Sequence, residues 1–163
     1  MERAAAILLP LFSVRTGDDL GRGEIAGLKP LAQWMLAMGH RVLQLLPLSE
    51  SDAGENSPYS ALSVFSIDPL YISVSALAGV PAADLQGAQA QIGGKRRVPR
   101  AKLRALKLPL LKAAFDHFRD NSDADERGAF ERFAAANRHW LDDYALFRAL
   151  KERFDWAGWE DWP

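Results

Sequence analysis

Two nearly continuous apolar runs, Ala4 to Phe12 and Val42 to Leu48, bracket a segment in which Leu28, Leu31, Ala32, Met35 and Met38 recur at helical spacing. Strands that read as unbroken apolar runs are those of parallel sheets covered on both faces. Gly39 stands where a helix closes with a left-handed residue. Strand, helix and strand in this order make a βαβ unit, whose right-handed crossover sets the two strands side by side. The expected fold class is therefore α/β, opening in the manner of a parallel barrel. The same apolar start argues against a secretory leader, because Glu2 weakens its charged head and no small-x-small cleavage site follows before Arg15.

The second strand runs straight into polar sequence. Leu45-Leu46-Pro47-Leu48 is followed by Ser57-Pro58-Tyr59-Ser60 and then by Asp68-Pro69-Leu70-Tyr71-Ile72, read as the start of a further strand. In a βα barrel the loops beyond the carboxyl ends of the strands carry the chemistry, and an aromatic there can lie against the apolar face of a sugar. Tyr59 is the candidate, flanked by the hydroxyls of Ser57 and Ser60. The competing reading is that Pro58-Tyr59 buttresses the loop with its ring on Phe65. Asp68 before Pro69 suits turn initiation, and its expected role is loop support.

After Leu77 the composition changes. Ala82 to Gly94 is rich in Ala, Gln and Gly, and Lys95-Arg96-Arg97 with Arg100 is a short basic run, so residues 79–100 are expected to be an exposed connection. From 101 to 163 the pattern is helical. Leu103, Leu106, Leu110, Leu111, Ala114, Phe115 and Phe118 share a helix that Pro109 must kink or restart. Ser122 and Asp125 offer a capping-box-like start for a helix bearing Phe130 and Phe133, and a third helix is expected over Leu141 to Phe154. The expected division is 1–78 as barrel start, 79–100 as connection and 101–163 as helical subdomain.

A (β/α)8 barrel takes about 250 residues. This chain has 163, with everything strand-like before residue 75, so the barrel is expected to be incomplete within it. With 20 Lys and Arg against 21 Asp and Glu, it offers no general attraction to nucleic acid or anionic lipid, and Arg96, Arg97 and Arg100 are too few to reverse that. The lack of cysteine excludes disulfides and thiolate sites and fits a cytoplasmic protein. No metal-ligand spacing involves His40, His117 or His139, which are expected to be solvated or locally bonded. Gly21-Arg22-Gly23 lacks the rest of a dinucleotide fingerprint and reads as a turn. Retaining glycosyl transfer needs two carboxyl groups about 5–5.5 Å apart. Adjacent helical residues point about 100° apart, so Asp142-Asp143 is no such pair and is assigned to a helix N-terminus.

At its loop and near its end the chain resembles the amylomaltase type of 4-α-glucanotransferase. The matching elements are LPL followed by SPY and DPLYI, then Trp140-Leu141-Asp142-Asp143-Tyr144-Ala145-Leu146-Phe147-Arg148-Ala149-Leu150-Lys151, and Trp159 to Pro163. The resemblance covers nearly the whole chain, as the N-terminal third of such an enzyme. It implies transfer of α-1,4-glucan segments between maltooligosaccharides by double displacement, without a cofactor. It implies donor-side sugar contacts from Ser57 and Tyr59, and catalytic carboxylates downstream of this chain. The comparable glycine loop of the family carries an apolar residue and Asp where Arg22 and Glu24 stand. Trp156, Trp159 and Trp162 are expected to pack the subdomain against the barrel. The fragment alone is expected to be inactive and, with an unpaired sheet edge, to self-associate. The second reading is a non-catalytic α-glucan-binding or interaction protein.

Overall fold

The computed structural model describes residues 3–52, 57–92, 95 and 98–163. Strand β1 (Ala5–Leu9) and strand β2 (His40–Leu45) pair in parallel, joined through helix α1 (Leu28–Ala37). Pro30 lies in the first turn of α1, where no backbone donor is lost, and Gly39 closes the helix at φ +81°. The strands stop sooner than the apolar runs suggest, because Pro10 ends the first ladder and Leu11–Ser13 turns as a 3-10 helix. Among the described residues this two-stranded pair is the whole sheet.

Neither strand is covered on both faces by this chain. Leu8 is 59% exposed and Val42 46%, while Trp34, Leu36 and Met38 of the α1 segment also face outward. The core lies elsewhere. Leu20, Leu70, Val74, Ala88, Ile92, Leu103 and Leu110 form one buried cluster between the loops and the helices that follow.

Helix α2 (Ala82–Ile92) occupies half of the stretch expected as an exposed connection, and buries Ala88 and Ile92. Its alanines and glutamines are good helix formers without a wide apolar stripe, so periodicity alone passes over it. Helix α3 (Arg100–Asn121) continues through Pro109 for 22 residues rather than restarting there. Ser122 ends it, and Asp123 with Glu126 forms the capping box of helix α4, one residue beyond the expected pair. Helix α4 (Ala124–Arg153) is a single helix of 30 residues where two were expected. Asp142 and Asp143 therefore lie inside it and cap nothing, and Asp142 pairs with Arg138 at 3.4 Å. Phe118 meets Phe130 across the turn, with ring centroids 5.6 Å apart. Residues Pro69–Tyr71, expected to begin a strand, form a 3-10 turn instead. Proline at its first position suits that turn, and the Asp68 carboxylate accepts the Leu70 N–H at 2.9 Å.

Candidate functional site

The polar loop after β2 is a loose hairpin. Ser49 bridges Ile67 and Ser51 bridges Ala61 in antiparallel sense, while the Leu62 and Asp68 amides donate to the Glu50 and Leu48 carbonyls, both at 2.8 Å. At the far end Ser57 orders the turn. Its hydroxyl accepts the Tyr59 amide at 3.2 Å, and its carbonyl accepts the Ser51 hydroxyl at 3.2 Å. Tyr59 stands 70% exposed. Phe65, the residue against which that ring was alternatively expected to pack, stacks on Trp140 with centroids 5.7 Å apart and meets His139 edge-on.

The base of the hairpin is held by buried charge. Glu50, 1% exposed, receives the Tyr144 hydroxyl, Arg148 Nε at 2.9 Å and Arg104 Nη1 at 3.4 Å. Asp68 is joined by Arg100 Nη2 at 2.7 Å, and the same guanidinium donates to the Ser51 and Asp52 carbonyls. Lys151 lies 2.9 Å from an Asp52 carboxylate oxygen and caps the last turn of its own helix through the Trp156 and Ala157 carbonyls. Arg100 is thus buried rather than part of an exposed basic run; Arg96 and Arg97 lie outside the described residues.

The loop after β1 is pinned in the same way. Lys107 Nζ reaches Glu24 at 2.7 Å and the Leu70 carbonyl at 2.6 Å, with no side-chain exposure. Burial pushes the Glu24 and Asp68 carboxyls up and the Lys107 ammonium down from their ordinary values, against the attraction of their partners. Gly21 takes φ +87° and Gly23 is wedged against the Leu11 and Val14 backbone, so this segment is the turn its glycines suggested. Arg22 lies over the Phe12 ring at 4.7 Å.

Sequence reasoning missed these holding residues, although a signal was present. Arg100, Arg104 and Lys107 recur at i, i+4 and i+7 on α3, and Tyr144, Arg148 and Lys151 do the same on α4. Each set is one helix face, which solvent alone does not require. The C-terminal tryptophans divide in role. Trp156 lies between Arg104 and Arg148, each guanidinium carbon 4.4 Å from its ring centre; Trp162 packs on Phe147 and Phe154; Trp159 is 67% exposed. His117 is locally bonded as expected, through Asn121; His139 instead meets the distant Phe65 ring edge-on, and His40 stacks on Trp34 with a buried Nδ1 that has no hydrogen-bond partner among the described residues. No group of three acidic, histidine or cysteine residues suited to a metal occurs among the described residues.

Tyr144 supports a direct check of this geometry. Burial, followed by its bond to anionic Glu50, pushes its phenol up to about 12. A raised phenol value means that the fold keeps a proton which the open chain releases, so stability falls as pH rises from the ordinary 10 towards 12. A spectrophotometric titration of the chain is expected to show a tyrosinate component near 12 that Tyr144→Phe removes. Loss of no such component in that variant would place the Tyr144 hydroxyl elsewhere.

Among the described residues the architecture is a partial α/β piece, two parallel strands joined through a helix and followed by three further helices. Amylomaltase from Corynebacterium glutamicum superposes on 98% of this chain with a TM-score of 0.77 and 24% identity, the chain covering 24% of that protein; this likeness concerns the fold. Residues 9–163 match the sequence profile of a family described as 4-alpha-glucanotransferase. The chain belongs to that family. The 4-alpha-glucanotransferase of Synechocystis is 37% identical over 99% of this chain, and 4-alpha-glucanotransferase DPE2 of Oryza sativa is 33% identical over 98%. The chain spans only 32% and 17% of the lengths of these two relatives.

Proposed function

We propose that the complete protein is a 4-α-glucanotransferase that cleaves an α-1,4 bond in a maltooligosaccharide and passes the glycosyl unit to another sugar. Membership of the family carries this reading, and the exposed Tyr59 on an ordered turn beyond β2 supports it. Retention would proceed through a covalent glycosyl-enzyme intermediate, formed and resolved by carboxyl groups outside these 163 residues, with no cofactor. Ser57 and Tyr59 would contact the donor sugar, and Asp68 would support the loop. Residues 1–78 would open a (β/α)8 barrel, 79–100 would connect and 101–163 would form the subdomain beside it. No helix among the described residues is long and apolar enough to cross a membrane, and a cytoplasmic site of action suits a cysteine-free sugar enzyme. The unpaired edges of the two-stranded sheet favour association of the chain when it is alone.

The test is disproportionation. Given maltotriose, the complete protein is expected to yield glucose and maltopentaose, resolved by anion-exchange chromatography. Tyr59→Ala is expected to lower kcat/KM about 10- to 100-fold through loss of an aromatic face for the sugar. Absence of transfer by the complete protein would overturn the reading, and an unchanged kcat/KM in the variant would remove Tyr59 from the site.

A further inference from the structure

The hairpin that carries Ser57 and Tyr59 draws little support from the apolar core. Of the residues buried in that cluster, none lies between positions 49 and 68. Besides the Phe65 ring stacked on Trp140 of α4, what holds the hairpin is polar, and three of its donors converge on one carboxylate. The Glu50 side chain receives three donors, Tyr144 and Arg148 from α4 and Arg104 from α3, while its own carbonyl accepts the Leu62 amide from the returning arm. One residue therefore ties the hairpin to both helices through its side chain and joins the two arms through its carbonyl. Glu50 is 1% exposed and cannot itself touch a sugar.

We infer that Glu50 is a positioning residue for the Ser57 and Tyr59 sugar contact, and that the helical subdomain acts on the site through it. The inference rests on the transferase reading given above. Three features separate it from a purely structural role. The donors come from positions 54 to 98 residues away, so they fix the loop relative to a second body rather than to itself. The hairpin's other anchors, Asp68 on Arg100 and Asp52 with Lys151, also end on α3 and α4. And the core under α2 and α3 contains none of these groups, so releasing Glu50 frees the loop without opening the core.

Two variants test this. Glu50→Gln keeps the volume but removes the charge and turns an N–H2 towards donors; Tyr144→Phe removes a single donor and leaves the carboxylate on its arginines. In amide hydrogen exchange resolved by residue, both variants of the 163-residue chain are expected to exchange about tenfold or more faster at Leu62 and Asp68, with β1 and β2 unchanged. In the complete enzyme, Glu50→Gln is expected to lower kcat/KM for maltotriose about 10- to 100-fold, the effect of a displaced contact. Glu50→Gln is expected to cost less in a Tyr59→Ala background than on its own, because the Tyr59 ring is one of the two contacts it positions. Uniform acceleration of exchange throughout the chain, unchanged exchange at Leu62 and Asp68, or additive losses in the double variant would overturn the inference. If the unaltered complete protein transfers nothing, the transferase reading fails, and the exchange pattern still decides whether Glu50 holds the loop.

Discussion

Purified as 163 residues, the chain is expected to transfer no glucosyl units from maltotriose above a mock preparation. The reason lies in where its acids have gone. Double displacement needs one carboxylate to attack and a second carboxyl to give and take a proton, with the pair about 5–5.5 Å apart across a bound sugar. Each of the four buried acids among the described residues is occupied by a cation. Asp19 lies 2.8 Å from Arg15, Glu24 meets Lys107, Glu50 meets Arg104 and Arg148, and Asp68 meets Arg100. A nucleophile engaged in this way is neither free to attack nor open to substrate. Asp142 is paired with Arg138 on the surface of α4. Glucose and maltopentaose appearing from maltotriose with this chain alone would overturn the expectation that its catalytic carboxyl groups lie outside these 163 residues.

Lys107→Met is expected to destabilise the chain by about 3–5 kcal/mol, a large share of a domain's total stability of about 5–15 kcal/mol. The ammonium has no exposure and joins the loop after β1, through Glu24, to the turn at Leu70. Removing it leaves a carboxylate in a dry site, where burial already pushes Glu24 up from its ordinary 4.5. A fold with a raised carboxyl value binds a proton that the open chain has released. Without the ammonium the Glu24 carboxyl is raised further, so the loss is smallest below pH 4.5 and grows as pH rises and the unpaired carboxyl ionises. Urea unfolding followed by circular dichroism at several pH values measures all of this. The double variant Glu24→Leu, Lys107→Met is expected to recover all but about 1–3 kcal/mol, the share of the Leu70 carbonyl left without its donor. A single variant as stable as the parent, or a double variant no better than the single, would show that the pair does not tie the two loops.

Local pattern explains which elements could be read in advance. The apolar runs around Ile7 and Leu43 and the helical recurrence from Leu28 to Met38 led to the βαβ unit that is present. Leu103 and Leu110, placed on one face of α3 by their spacing, are indeed in the core. Helix α2 escaped because Ala, Gln and Gly carry no contrast between faces. The strand expected from Asp68 became a 3-10 turn because an aspartate before proline can cap the turn with its own side chain, an option invisible to apolar runs. The two helices drawn from Phe130 and from Leu141 proved to be one, since nothing between them breaks a helix and the aspartates at 142 and 143 were mistaken for a start.

By itself the sequence determined the βαβ opening, the helical character of the second half, the motifs at Ser57 to Tyr59 and Tyr144 to Lys151, and through them the family. Only the tertiary structure decided where the charges went. Lys107 finds Glu24 across 83 positions, Tyr144 and Arg148 find Glu50 across 94 and 98, and Arg100 finds Asp68 across 32. Periodicity reports which side chains share a face, because it follows from the local turn of the backbone. Which cation meets which acid depends on how distant segments are brought together by burying Leu20, Leu70 and Leu103 in a common core, and a burial that is neither local nor directional leaves no mark in the spacing of residues.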